Sequence, residues 1–209
     1  MIAQRPVVAC ALVALFAAGP SAALAQGGGM AGMGGMSGMD MGHEIVIPKG
    51  ALYTRADVEF MQGMIAHHAQ AIVMTQMAAA HGANPQVLKL AQKIDQSQMP
   101  EIRIMQRWLR RYDQFAPDTS SWHTMRMAGM LTDEELKELD AARGVDFDRA
   151  FLDGMIRHHA GALKMVDDLF ASPLAGQEVD VNVFANDVVT AQTGEIGIMK
   201  RLLAQIPPK

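Results

Sequence analysis

The stretch GMIAHHAQAIVMTQM occupies residues 63–77, and GMIRHHAGALKM appears 91 positions later, at 154–165. In both, apolar residues recur at three- and four-residue spacing, the period of an amphipathic α-helix. Both place adjacent histidines in the apolar half. The match extends over Asp57, Phe60, Gly63, Met64, His67, His68, Ala71 and Met74, which align with Asp148, Phe151, Gly154, Met155, His158, His159, Ala162 and Met165. A second pair, EIRIMQRWL (101–109) and EIGIMKRLL (195–203), aligns at a shift of 94. Each unit therefore reads as a helical hairpin. Two hairpins supply four long helices, enough to close a bundle around one core.

Punctuation along the chain sets the expected elements. A first helix runs from about Thr54, its N-cap, to His81, stopped by Gly82 and Pro85. A second covers about 85–112, and Pro100 should kink or split it. Residues 113–130 read as a loop, and TDEELKELDAAR (132–143) as a short helix with a Thr132–Glu135 capping box. Long helices follow at about 146–170 and 181–205, joined by the turn ASPLAGQEVD. No segment reads as a strand, so the expected class is all-α: a four-helix bundle of two repeated hairpins with a short linking helix. The expected organisation is a signal peptide at 1–25, a Met/Gly-rich tail and linker at 26–53, hairpins at 54–112 and 146–209, and a linker at 113–145.

The first 25 residues have the form of a secretory signal: Arg5, the apolar run VVACALVALFAA, and Ala23-Leu24-Ala25 as cleavage site. The apolar run is shorter than the ~20 residues of a membrane span. Cys10, the single cysteine, lies inside this segment, with too short an apolar stretch before it for a lipoprotein signal. Cleavage after Ala25 leaves 184 residues, with 17 basic against 22 acidic side chains and no thiol. Such a chain forms no disulfide, has no basic stripe for nucleic acid, and must use methionine for any soft ligand.

Methionine is where the composition departs most from an ordinary domain, at 18 of 209 residues. Met30, Met33, Met36, Met39 and Met41, followed by His43, lie in a Gly-rich tail with no core to fill. Thioether sulfur prefers Cu(I), and imidazole accepts Cu(I) or Cu(II). The tail therefore points to copper, with silver as a chemical mimic. On the first helix, Met64 stands at the centre of the apolar stripe. His67 and His68 fall 100° apart on either side of it. The two rings are badly placed to hold one ion together, but each can join methionines on its own side. His68 is spaced to meet Met64 and Met61, and His67 to meet Met64 and Met74. Glu101 and Glu195 sit mid-stripe on their own helices, where a carboxylate needs a partner. Histidine on the neighbouring helix is the obvious one, either as an ion-pair mate or as a fellow ligand. A third candidate cluster is His123, Met125, Met127 and Met130, in the loop between the hairpins. The alternative for all these helical residues is structural: buried His–Glu pairs as glue, and Met as core filler.

The two paired-His segments, each followed by a helix with EI..M.R.L, resemble domain-of-unknown-function family 305 over about residues 54–205. The resemblance implies secreted bacterial proteins of ferritin-like fold, some of which, the CopM-like proteins, bind copper in the periplasm. It implies Met64, His67, His68, Met155, His158 and His159 as ligands, with Met165 at the position matching Met74. An oxidase of the di-iron type is disfavoured, since no Glu-x-x-His occurs. The expectation is a non-enzymatic periplasmic copper binder for sequestration, resistance or transfer. Copper is its ligand, with a further periplasmic copper carrier or efflux component as partner. No nucleic acid or stable membrane insertion is expected, and homodimerisation is left open.

Overall fold

A computed structural model of the chain describes residues 44–207. The signal-like segment and the tail methionines Met30, Met33, Met36, Met39 and Met41, with His43, lie outside the described residues. Five α-helices form: α1 (Arg55–Ala80), α2 (Pro85–Arg111), α3 (Asp133–Ala141), α4 (Gly144–Ala171) and α5 (Val179–Leu203). No strand occurs among the described residues.

Local chemistry explains the boundaries. Thr54 caps α1 in a reciprocal box with Asp57, and Thr132 does the same for α3 with Glu135. Asn84 accepts from the Gln86 N–H and precedes Pro85, which suits the first turn of α2. Pro100 does not split α2, which is continuous from Pro85 to Arg111. Proline removes one backbone donor, but Ile94, Gln98, Ile102 and Met105 on both sides of it are buried along one face. That packing holds the helix together across the missing bond. The expected loop after α2 contains a 3₁₀ turn at Thr119–His123, capped by Asp118. Helix α4 begins at Gly144, two residues earlier than expected.

Helix α1 packs along α2, and α4 along α5. Helices α1 and α4 cross antiparallel. Asp57, at the start of α1, accepts the Gly176 N–H from the α4–α5 turn at 2.7 Å. At the other end, a Cβ on Gly154 would meet the Met74 methyl at 3.4 Å. Asp148 repeats the role of Asp57 in reverse, accepting the Asn84 N–H of the α1–α2 turn at 3.0 Å. Each hairpin turn is thus tied down by an aspartate of the other hairpin.

The core falls into two clusters. One gathers Met61, Met64, Ile65, Met105, Trp108, Met165 and Phe184, and the other Met74, Ile94, Phe147, Phe151, Met155 and Met199. Helices α1, α2, α4 and α5 contribute to both. Helix α1 is buried over most of its circumference rather than along one stripe, and carries Gln62 and Gln70 inside. These buried amides are used: Gln62 donates to the Phe115 carbonyl, and Gln70 both donates to and accepts from the Leu131 backbone. No helix among the described residues is long and apolar enough to cross a membrane.

Candidate metal centre

His67, His68, His158 and His159 are fully buried at mid-length of α1 and α4. The paired sequence stretches bring two of them together across the α1–α4 crossing, where the His67 and His158 rings stand 3.8 Å apart between centroids. The helical wheel separates His67 from His68, but it cannot foresee that each half lends one histidine to a common contact.

The other two face outward to α2 and α5. His68 Nε2 is 2.6 Å from Glu101 Oε2, and His159 Nε2 is 2.8 Å from Glu195 Oε2. A carboxylate only accepts, so each Nε2 is the donor; in a neutral ring, Nδ1 then keeps its lone pair. His67 follows the same rule by another route, donating from Nε2 to the Ala128 carbonyl at 3.1 Å. The Nδ1 atoms of His67, His68 and His159 are buried with no hydrogen-bond partner among the described residues. His158 makes a proper hydrogen bond from neither ring nitrogen. Leaving such atoms unpaired is costly. An imidazole anchored through one nitrogen, with the other free and dry, is how metal-binding histidines are oriented.

Burial sets the electrostatics. Desolvation pulls His67 down to about 3, with His68 and His159 adding to the shift and the Ala128 carbonyl opposing it. Burial also lowers His158 well below the usual range, with charge on His67, His159 and His68 adding and the His67 backbone opposing. These two rings are therefore neutral at pH 7, the form that ligates. Glu195 is held below the usual carboxylate range: burial raises it, but the bonds from His159 and Lys93 outweigh that.

The methionines Met61, Met64, Met74, Met155 and Met165 are all buried, Met61, Met64 and Met165 in one core cluster and Met74 and Met155 in the other. No three His, Cys, Asp or Glu among the described residues converge as a metal cage. A three-coordinate ion here would have to draw on thioether sulfur, and a mixed imidazole–thioether set suits Cu(I). The loop cluster is less united. His123 stacks on Trp122 at the surface, Met125 is buried, and the Met130 sulfur receives the Met127 N–H at 3.4 Å.

Three further features complete this arrangement, two of them contacts that sequence reasoning missed. Lys93 reaches Glu195 at 3.2 Å. Gln98 and Gln192, three residues before each glutamate, are buried with Oε1 unpartnered. Ala128 and Gly129 press on Gly161, where a Cβ would lie 1.8 Å from the Ala128 oxygen. The buried glutamines were visible in the helical stripe. The Lys93 and Ala128 contacts join segments far apart in sequence and carry no local signal.

A protein that is helical over its described residues, with four buried histidines at the crossing of two helix pairs, is the class this arrangement defines. The chain belongs to the family of the domain of unknown function DUF305, whose profile matches residues 57–203. It is similar to the DUF305 fragment from Deinococcus radiodurans, at 31% identity and a TM-score of 0.65 over 73% of this chain and 98% of that one. It is similar also to the putative secreted DUF305 protein from Streptomyces coelicolor, at 29% identity and a TM-score of 0.62 over 72% and 93%. CopM in its Cu(I)-bound form matches at 28% identity and a TM-score of 0.56 over 70% and 94%. CopM is also known in Cu(II)-bound, silver-bound and metal-free forms. No curated protein matches the chain.

Proposed function

We propose that this protein is an exported, non-enzymatic copper binder of ferritin-like four-helix architecture that sequesters Cu(I), accepts Cu(II) as well, and buffers the ion or passes it on. The observation that carries the proposal is the set of buried Nδ1 atoms on His67, His68 and His159, each ring anchored behind through Nε2. The methionines of the tail and the copper- and silver-bound CopM relatives support the same reading. Glu101 and Glu195 serve as the acceptors that orient His68 and His159. The recipient is a periplasmic copper carrier or an efflux component.

The test is an anaerobic Cu(I) competition titration against a chromogenic chelator, with the chain from Gln26 run beside a version starting at Glu44. Tight binding by both, with fewer ions on the shorter form, is the expected result. If the shorter form holds none, the histidines are structural and only the tail handles metal. If neither form competes, the protein is a helical interaction module with His–Glu pairs as core contacts.

A further inference from the structure

The two His–Glu pairs are chemically alike but differ in their surroundings. Glu195 is 3% exposed, and Lys93 covers it. Glu101 is 25% exposed. At the shift of 94 that relates the two outer helices, Lys93 corresponds to Asp187. The position that seals one pair with a cation thus carries an anion on the other side.

Asp187 lines a groove of about 580 Å³ between α2 and α5. Fully buried Met61 forms part of its lining, as do Ile104, one turn beyond Glu101, and Phe184. The Phe184 and His68 ring centroids are 6.4 Å apart, so the groove ends one side chain from the histidine centre. Its charges balance, with Arg107 and Arg111 against Asp180 and Asp187, and Arg111 is tied to Asp180 at 2.7 Å. Long-range steering of a cation is therefore weak. What remains is a methionine in the lining, apolar walls from Ile104, Trp108, Val183 and Phe184, and the Asp187 carboxylate beside them. That combination suits a weakly hydrated, soft monovalent ion better than a hard divalent one.

We propose that this groove is the inlet by which Cu(I) reaches the buried imidazoles, with Met61 as the relay sulfur, and that Lys93 closes the corresponding route on the Glu195 side. The inference rests on the copper reading and adds a direction to it. Loading runs through the His68–Glu101 face. His159–Glu195 is the closed, holding face.

The experiment follows the rate and the extent of Cu(I) transfer from a chelator to the chain 26–209 and its variants, by anaerobic stopped flow. Val183→Trp fills the groove from a side chain that is 54% exposed, and Ile104→Trp does so from the opposite wall at 40%. Lys89→Trp places the same bulk at the position corresponding to Val183 on the other side. The expected result is that V183W and I104W slow the loading of the helical site about tenfold, within the range over which access changes association rates. Lys89→Trp should load at the parent rate, and Lys93→Ala faster than the parent. Final stoichiometry should be the same throughout. Parent-like rates in both groove variants, at full stoichiometry, would overturn the inlet while leaving the copper reading intact. Equal slowing by K89W would also overturn it, since the effect would not be local to the groove. If the parent takes up no copper beyond its tail, the copper reading falls and the inlet with it.

Discussion

His158 separates the structural and metal-binding readings at the scale of one residue. Its ring is buried and makes no proper hydrogen bond, so it contributes little to the metal-free fold beyond volume. Removing an unpaired buried polar group can be neutral or stabilising by about 1 kcal/mol. His158→Phe should therefore melt at or above the parent temperature without metal, yet lose copper at the helical site. His159→Phe should behave differently, because it strips Glu195 of one of its two partners and leaves a dry carboxylate on Lys93 alone. A loss of about 2 kcal/mol is expected, read from urea unfolding. Equal destabilisation by both substitutions would mean that His158 is a structural side chain.

The same rings set a pH dependence. His67 titrates near 3 in the folded state against a reference of 6.5, and His158 is shifted the same way. Below 6.5 the unfolded chain therefore binds more protons than the folded one. The stability that the neutral His67 ring contributes is full above about pH 6.5 and falls as the pH drops toward 3, by about 1.4 kcal/mol per pH unit, and the lowered His158 acts in the same direction. Chemical denaturation between pH 7 and 4 should show that decline. His158→Phe should make it shallower.

Elements are held in place by backbone approaches that admit no side chain. Residues 128–129 lie against Gly161 of α4, and the same stretch presents the Ala128 carbonyl to His67. Gly129 has φ +79, which favours glycine. Gly161→Ala would drive a methyl to 1.8 Å from the Ala128 oxygen, so the loop must lift away. A cost of about 2–3 kcal/mol is expected, with the His67 anchor lost at the same time. A proton NMR titration would then find the His67 pKa altered, whereas a G161A protein with parent stability and an unchanged His67 signal would contradict this account. The Asp57–Gly176 and Asp148–Asn84 bonds act at the same scale, each holding a turn through the opposite helix pair.

For the whole molecule, copper binding and folding are linked. An ion that binds the folded chain alone, at a hundredfold excess over its dissociation constant, adds about 2.7 kcal/mol. For a domain of this size that is a rise of about 5–10 °C in melting temperature. The version starting at Glu44 should show the full rise, since the proposed centre lies in α1 and α4 and not in the tail. A rise that vanishes with the tail would assign the metal to residues 26–43 alone.

The helices, their caps and the paired-His motif could be read from the chain itself, because they rest on local chemistry. Thr54 with Asp57, Thr132 with Glu135, Pro85, and the three- and four-residue apolar period all act within a turn or two. The pairing of one histidine in each hairpin with a glutamate was also within reach, since a mid-stripe carboxylate needs a donor and the neighbouring helix offers one. The meeting of His67 with His158 was not, nor were Lys93 over Glu195 and Ala128 behind His67. Those contacts bridge 91, 102 and 61 residues and depend on how antiparallel helices cross. Helical periodicity specifies which face a side chain occupies. Only the packing of one helix on another decides which faces meet, and so which nitrogen is left without a partner.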